Sequence, residues 1–297
     1  MTRHLFRNAL AGAAMLLPLS AQAGSSAQAT TTATMTATAI VSVGGPVTET
    51  IFALGEGDRV VARDSTSLFP PEVTALPDIG YMRQLSAEAV LSTGPDLIVT
   101  RDTAGPPEVL DQLRAAAVPM VETHDGFNAE AVLDSVHKIG AALGVPEKSD
   151  ALAVGIEADF KTLAEQVRTG TAPRVMFILS NQGGRLNVAG RGTGAHGILE
   201  LAGAENVFAS DYQGYKIASD EAIIAAAPDI ILMMEPTGEE EHDARRADTL
   251  ALPAIAQTPA GENGAFVLVP PAALGFGPRT AKLALALRAD LLTALGD

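Results

Sequence analysis

Three tyrosines, set among isolated cations, carry most of the chemistry open to this chain. Tyr81 stands in Gly80-Tyr81-Met82-Arg83 and Tyr215 in Gly214-Tyr215-Lys216; Tyr212 is the third. A phenol donates or accepts a hydrogen bond, and as a phenolate it is a hard oxygen ligand. A guanidinium such as Arg83 can grip a carboxylate through two parallel N–H groups. The 297 residues include no Cys, which excludes disulfides, thiolate zinc, iron–sulfur clusters and a cysteine nucleophile. Strong metal ligands are then limited to Tyr, His, Met and carboxylates. Of the five histidines, His124 follows a strand, His137 is helical, His196 opens a helix in a Gly-rich stretch, and His242 adjoins the acidic run at 239–241. No pair has zinc spacing, which argues against a zinc or manganese carrier. Val43-Gly44-Gly45-Pro46 lacks both G-x-G-x-x-G and a P-loop lysine, and there is no G-x-S-x-G elbow. An enzyme is not expected.

The tyrosine segments introduce a longer repeat. Ser86-Ala87-Glu88-Ala89-Val90-Leu91 and Pro95-Asp96-Leu97-Ile98 reappear as Ser219-Asp220-Glu221-Ala222-Ile223-Ile224 and Pro228-Asp229-Ile230-Ile231, at a constant offset of 133 residues. Each serine predicts an N-cap, and Glu88 and Glu221 fall in the first helical turn, where a carboxylate suits the helix dipole. Pro-Asp then closes the helix before an apolar strand.

The elements between these segments alternate. Strands are predicted at 40–43, 59–62, 97–100 and 119–123, with helices at 46–54, from Ser86, at 106–117 and at 127–143. An amphipathic stretch follows at 149–168, with Leu152, Ile156, Phe160 and Leu163 on one face. At ~1.5 Å per residue it is about 30 Å long. The alternation then resumes, with strands at 174–179, 230–234 and 266–269 and helices at 194–202, 218–226 and 277–295. Residues 181–191 read as a Gly-rich loop. The predicted fold class is α/β, with two Rossmann-like lobes of parallel sheet joined by one long backbone helix. A ligand cleft between the lobes is expected, with Tyr81 and Tyr215 facing it from opposite sides. The predicted divisions are a signal peptide at 1–23, a flexible leader at 24–38, lobes at 39–145 and 170–297, and a connecting helix at 146–169.

Arg3, His4 and Arg7, an apolar run at 9–19 and Ser20-Ala21-Gln22-Ala23 give the signal-peptide pattern. The run is too short for a permanent span. Cleavage would take the formal charge from −15 to −17 by removing Arg3 and Arg7. That acidity opposes nucleic-acid binding. With 47% hydrophobic and 19% charged residues, the chain can bury a large core. A soluble, exported monomer with no lipid anchor and no stable membrane insertion is expected.

Ile40-Val41-Ser42-Val43-Gly44-Gly45 leading to Thr48-Glu49, Leu54-Gly55, Ser86-x-Glu88, Pro95-Asp96-Leu97-Ile98, Arg174-Val175-Met176-Phe177 and Leu201-Ala202-Gly203-Ala204-Glu205-Asn206-Val207 together resemble the periplasmic solute-binding proteins for iron complexes and cobalamin. The resemblance runs from about residue 39 to the C-terminus. Asp78-Ile79-Gly80-Tyr81-Met82-Arg83, Gly214-Tyr215-Lys216 and Gly275-Phe276-Gly277-Pro278-Arg279 are similar to the haem-binding branch. The resemblance implies haem as a transported ligand, Tyr81 as the axial iron ligand and Arg83 near a propionate. Tyr215 and Lys216 are expected to complete the haem site, with Met82 and Phe276 as apolar contacts and His196 as a second-side ligand. It also implies that Glu88 and Glu221 dock on the permease dimer of an ABC importer with its ATPase. The periplasm is the implied location, and an outer-membrane receptor the implied haem source. A ferric siderophore or cobalamin is the alternative ligand, although the absence of Trp disfavours a cobalamin cleft.

Overall fold

The computed structural model describes residues 37–167, 172–235 and 240–296. The expected signal peptide, the leader as far as residue 36, residues 168–169 of the connecting helix and 170–171 of the second lobe lie outside those residues.

The first lobe runs β1 (Ile40–Val43), α1 (Gly45–Ala53), β2 (Val60–Arg63), α2 (Ala87–Leu91), β3 (Leu97–Arg101), α3 (Pro107–Ala115), β4 (Met120–Thr123) and α4 (Ala129–Leu143). Its strands are all parallel, in the order β2-β1-β3-β4. The short apolar, β-branched runs suit strands covered on both faces. Val41, Val43 and Ile98 pack with Val90 of α2 and Leu110 and Leu113 of α3. On the other face Ile40 and Val99 pack with Val47 and Ile51 of α1 and Ile139 and Leu143 of α4. The order reverses between β1 and β3. Open α/β sheets form a crevice at such a reversal, beyond the strands' C-terminal ends.

α5 (Pro146–Val167) follows, 22 residues long. The second lobe runs β5 (Arg174–Gln182), β6 (Arg185–Ala189), α6 (Gly194–Leu201), β7 (Glu205–Asn206), β8 (Tyr215–Ile217), α7 (Asp220–Ala226), β9 (Ile230–Met234), α8 (Glu240–Leu250), α9 (Pro259–Asn263), β10 (Phe266–Val269) and α10 (Thr280–Leu295). Its sheet is ordered β10-β9-β5-β6-β8, with β7 beside β5. This sheet is mixed, which corrects the expectation of two parallel sheets: β5, β7, β9 and β10 are parallel, but β6 runs antiparallel to both its neighbours, β5 and β8. The cause is local. Gly183 and Gly184 have φ of 63° and 90°, the positive pair that closes a two-residue hairpin. The predicted loop is therefore a strand pair, and β8 joins its outer edge.

The repeat has a shared structural logic. The Ser86 hydroxyl accepts from Ala89 N and the Ser219 hydroxyl from Ala222 N. Asp96 accepts from Thr38 N (2.8 Å) and Ala39 N (3.0 Å), just ahead of β1. Asp229 accepts from Arg174 N (3.1 Å), the first residue of β5. Each Pro-Asp thus fastens the end of one helix to the start of its lobe's first central strand. Burial pushes the Asp96 carboxyl up, but the Thr38 and Ala39 donors outweigh it and hold it below the usual carboxylate range.

The lobes share a core. Val132 and Val136 of α4 and Ile156, Phe160 and Leu163 of α5 belong to one apolar cluster with Phe177, Ile198 and Leu287 of the second lobe. Lys282 of α10 also meets Asp159 of α5 at 3.1 Å.

Candidate functional site

Tyr81 owes its position to a short backbone splice. Arg63 N donates to Pro77 O, Ile79 N to Arg63 O and Ser65 N to Gly80 O, so residues 77–80 extend the outer edge of the first sheet. Asp78 clamps the splice, accepting from Gly80 N (2.8 Å) and pairing with Arg63 (2.9 Å). Gly80 has φ 95°, a conformation few side chains tolerate. Tyr81 emerges 39% exposed at the C-terminal end of the sheet. Gln84 N donates to Tyr81 O, closing a turn that returns Arg83 to the phenol: its Nη1 donates to the Tyr81 oxygen at 3.2 Å. Met82 points the other way and is buried in the first-lobe core. It is not an exposed ligand contact as expected.

Arg101, at the end of β3, is the residue that sequence reasoning missed. It is 8% exposed and lies at the β1/β3 reversal, where a Cβ on Gly44 would stand 2.7 Å from its Cδ. Burial draws its guanidinium down to about 10; Asp102 and Asp64 work against that shift and Arg83 adds to it. One end pairs with Asp125 and the other donates to Gly275 O of the second lobe at 2.7 Å. A second bridge runs from Glu49 of α1 to Arg279, whose N and Nη2 donate to the carboxylate at 3.0 and 2.8 Å. Between the bridges Gly275 and Gly277 lie against Pro46, where a Cβ would come within 3.0 and 3.2 Å. Phe276 is buried edge-on to Phe127, centroids 5.4 Å apart. It is part of this seam between the lobes rather than an open apolar contact. A charge following an apolar strand was the available signal for Arg101, but its partners are far apart in sequence.

Tyr215 reaches the same region from the second lobe. The Arg83 charge bears on both Tyr215 and Arg101, which puts the three groups within electrostatic reach. Tyr215 differs from Tyr81 in burial. Its ring lies 6.4 Å from that of Phe177, and Thr193 and the Ala195 backbone at the start of α6 lie near its oxygen. Burial raises its phenol above the ordinary value, against the pull of Thr193, Arg83 and the Ala195 backbone. Lys216 is the next residue of β8 and is exposed; strand alternation turns it to the opposite face from Tyr215. Tyr212 stacks on Phe208 at 5.0 Å beside the second core cluster. His196 is mostly buried in the first turn of α6, with Nε2 3.5 Å from Glu200 and Nδ1 without a hydrogen-bond partner. His124 is exposed and meets Asp102 at 2.7 Å.

Glu88 and Glu221 are both exposed in the first turns of their helices. The Glu221 backbone N–H and the Ser219 hydroxyl hold the Glu221 carboxyl below its ordinary value. Among the described residues no cluster of three or more His, Asp or Glu could hold a bare metal ion, and no helix is long and apolar enough to cross a membrane. A pocket of about 460 Å³ opens on the outer edge of the second sheet, between Phe266 and Asp290. None of the tyrosine segments lines it, and the convergence of Tyr81, Arg83 and Arg101 outweighs its size.

Residues 40–273 match the family described as "Periplasmic binding protein". The chain belongs to this periplasmic binding protein family. Among solved family structures, the periplasmic heme-binding protein RhuT from Roseiflexus sp. RS-1 is 36% identical, with a TM-score of 0.80 over 86% of this chain and 98% of that one. The heme-binding protein BhuT, solved with two hemes, is 33% identical, with the same TM-score and coverage. A periplasmic heme-binding protein from Pseudomonas aeruginosa is 35% identical, with a TM-score of 0.78 over 86% and 92% of the two chains. Among curated relatives, the ABC transporter substrate-binding lipoprotein YvrC of Bacillus subtilis (strain 168) is 29% identical over 65% of this chain and 62% of its own length. The vitamin B12-binding protein of Vibrio parahaemolyticus is 23% identical over 65% and 69%. The family and these relatives are described as binding proteins.

Proposed function

We propose that this periplasmic binding protein holds haem in the cleft between its lobes and delivers it to the permease dimer of an ABC importer. The observation that carries the reading is the pairing of an exposed Tyr81 phenol with Arg83 at 3.2 Å. Ferric iron prefers hard oxygen donors, and tyrosinate is a known axial haem ligand. A guanidinium donating to that oxygen stabilises the charge left on it and stays within reach of a propionate. Arg83 gives the cleft local positive charge in a chain of formal net charge −15. Tyr215 contributes a packed wall and a polar tip, with Lys216 and His196 as lesser contributors. The heme-binding structures at 33–36% identity support this cargo. The vitamin B12-binding relatives favour cobalamin as the competing one. Export through the 1–23 segment, release as a monomer into the periplasm and receipt of haem from an outer-membrane receptor complete the reading.

Titration of the purified chain with haemin is the test. The expected result is a shifted Soret band with a high-spin tyrosinate-to-iron charge-transfer band. An unshifted spectrum, or cobalamin binding in its place, would overturn the haem cargo. Glu88 and Glu221 are proposed to meet basic residues of the permease, where opposite charges set register. Reversing both to Lys should abolish haem uptake while leaving the haemin titration unchanged. Normal uptake would remove the docking role.

A further inference from the structure

The loop between β2 and the Tyr81 splice displays two large apolar side chains on an unusually firm base. Leu68 is 57% exposed and Phe69 38%. Beneath them Asp64 is fully buried and accepts four hydrogen bonds, from Gly44 N (2.8 Å), Ser67 Oγ (2.6 Å), Thr66 N (2.9 Å) and Thr66 Oγ1 (2.6 Å). The Ser67 hydroxyl also meets Thr48 Oγ1 at 2.6 Å. The loop starts beside Tyr81, through Ser65 N to Gly80 O, and crosses Gly45 at the β1 end, whose N–H donates to Thr66 Oγ1. It ends at the seam, where the Arg279 guanidinium lies 3.4 Å from the Phe69 ring centroid. A fully satisfied buried carboxylate fixes the backbone, and the cation over the ring fixes Phe69. Apolar side chains held rigidly in water are the preorganised form of a binding surface.

We propose that Leu68 and Phe69 form an apolar lip that packs against the face of a porphyrin, and that the cleft therefore also takes iron-free dicarboxylate porphyrins. The occupant is set by what flanks the lip: the Tyr81 ring at one end, Arg279 at the other and Arg83 beside Tyr81. A flat apolar ring with anionic edges complements that arrangement. This rests on the haem reading, but it divides the binding into iron ligation by Tyr81 and ring packing by the lip.

The test titrates the chain with protoporphyrin IX by fluorescence and with haemin by absorbance. Wild type should bind both. Leu68→Asp should weaken both by about tenfold to a hundredfold, the worth of one buried leucine, without moving the haemin charge-transfer band. Leu68→Ala should weaken both less. Tyr81→Phe should cost haemin far more than protoporphyrin IX. At 57% exposure Leu68 tolerates either change, and circular dichroism checks the fold. Equal protoporphyrin binding by Leu68→Asp and wild type overturns the lip, and so does a wild type that binds haemin alone. Intact porphyrin binding with lost uptake in Leu68→Asp would make the loop a permease contact and also overturns it. Protoporphyrin binding without any haemin response would sink the haem cargo and leave the lip standing.

Discussion

Gly80-Tyr81-Met82-Arg83 and Gly214-Tyr215-Lys216 begin alike and end in different states. The first lies on a splice beyond the edge of a parallel sheet, where a tight turn folds Arg83 back onto an exposed phenol. The second becomes an edge strand because β6 offers an antiparallel partner, and alternation separates Tyr215 from Lys216. The tyrosine that β8 receives is half-buried beside Phe177 and lies near the start of α6. One repeat has thus produced an exposed phenol in one lobe and a half-buried one in the other. The neighbouring strand makes the difference.

Tyr81→Phe gives the largest expected effect. It removes the proposed iron ligand, so haemin affinity should fall by more than about a hundredfold and the charge-transfer band should vanish. Retention of that band would transfer the ligand role elsewhere, with Tyr215 first in line. Arg83→Ala should weaken haemin about tenfold to a hundredfold, the usual cost of removing a group that supports a ligand. The Tyr–Fe band should shift but survive. Tyr215→Phe should change haemin affinity less than threefold, and stability in a denaturant titration by no more than about 1 kcal/mol. A collapse of haemin binding in this variant would make the lobes functionally equivalent.

The smallest effect concerns the shared Pro-Asp. The Asp96 carboxyl is held below its ordinary 3.8 in the folded chain, so the unfolded chain takes up that proton first as pH falls. Its stabilising contribution is therefore present above about pH 4 and lost on acidification below it. Asp96→Asn should flatten the acid limb of stability against pH. An unchanged limb would deny Asp96 this part in acid stability.

Much of the scaffold was legible because its signals are local. Ser86 and Ser219 cap helices three residues from their donors, and the short β-branched runs became the central strands. The hairpin was missed: adjacent Gly183 and Gly184 are what such a turn requires, but glycine richness reads equally well as a loop. The site was only half readable. Tyr81 and Arg83 are two residues apart, and their hydrogen bond is a local event. Arg101 gains its meaning from Gly44, Asp125 and Gly275, which only the β1/β3 adjacency and the meeting of the lobes bring together. Met82 and Phe276 were misplaced for a related reason: an apolar residue beside a site motif serves the core as readily as the ligand.

The apolar cluster through α4 and α5 also fixes how the molecule comes apart. Val132 and Val136 are side chains of the first lobe, but they complete the interior of the second. That shared cluster couples the halves, so heating should melt both in a single cooperative transition. A cut within α5 would leave two chains, each with an uncovered apolar face and prone to aggregate. Cargo in the cleft would then raise the melting temperature of the whole assembly, and one thermal scan would report binding from either side.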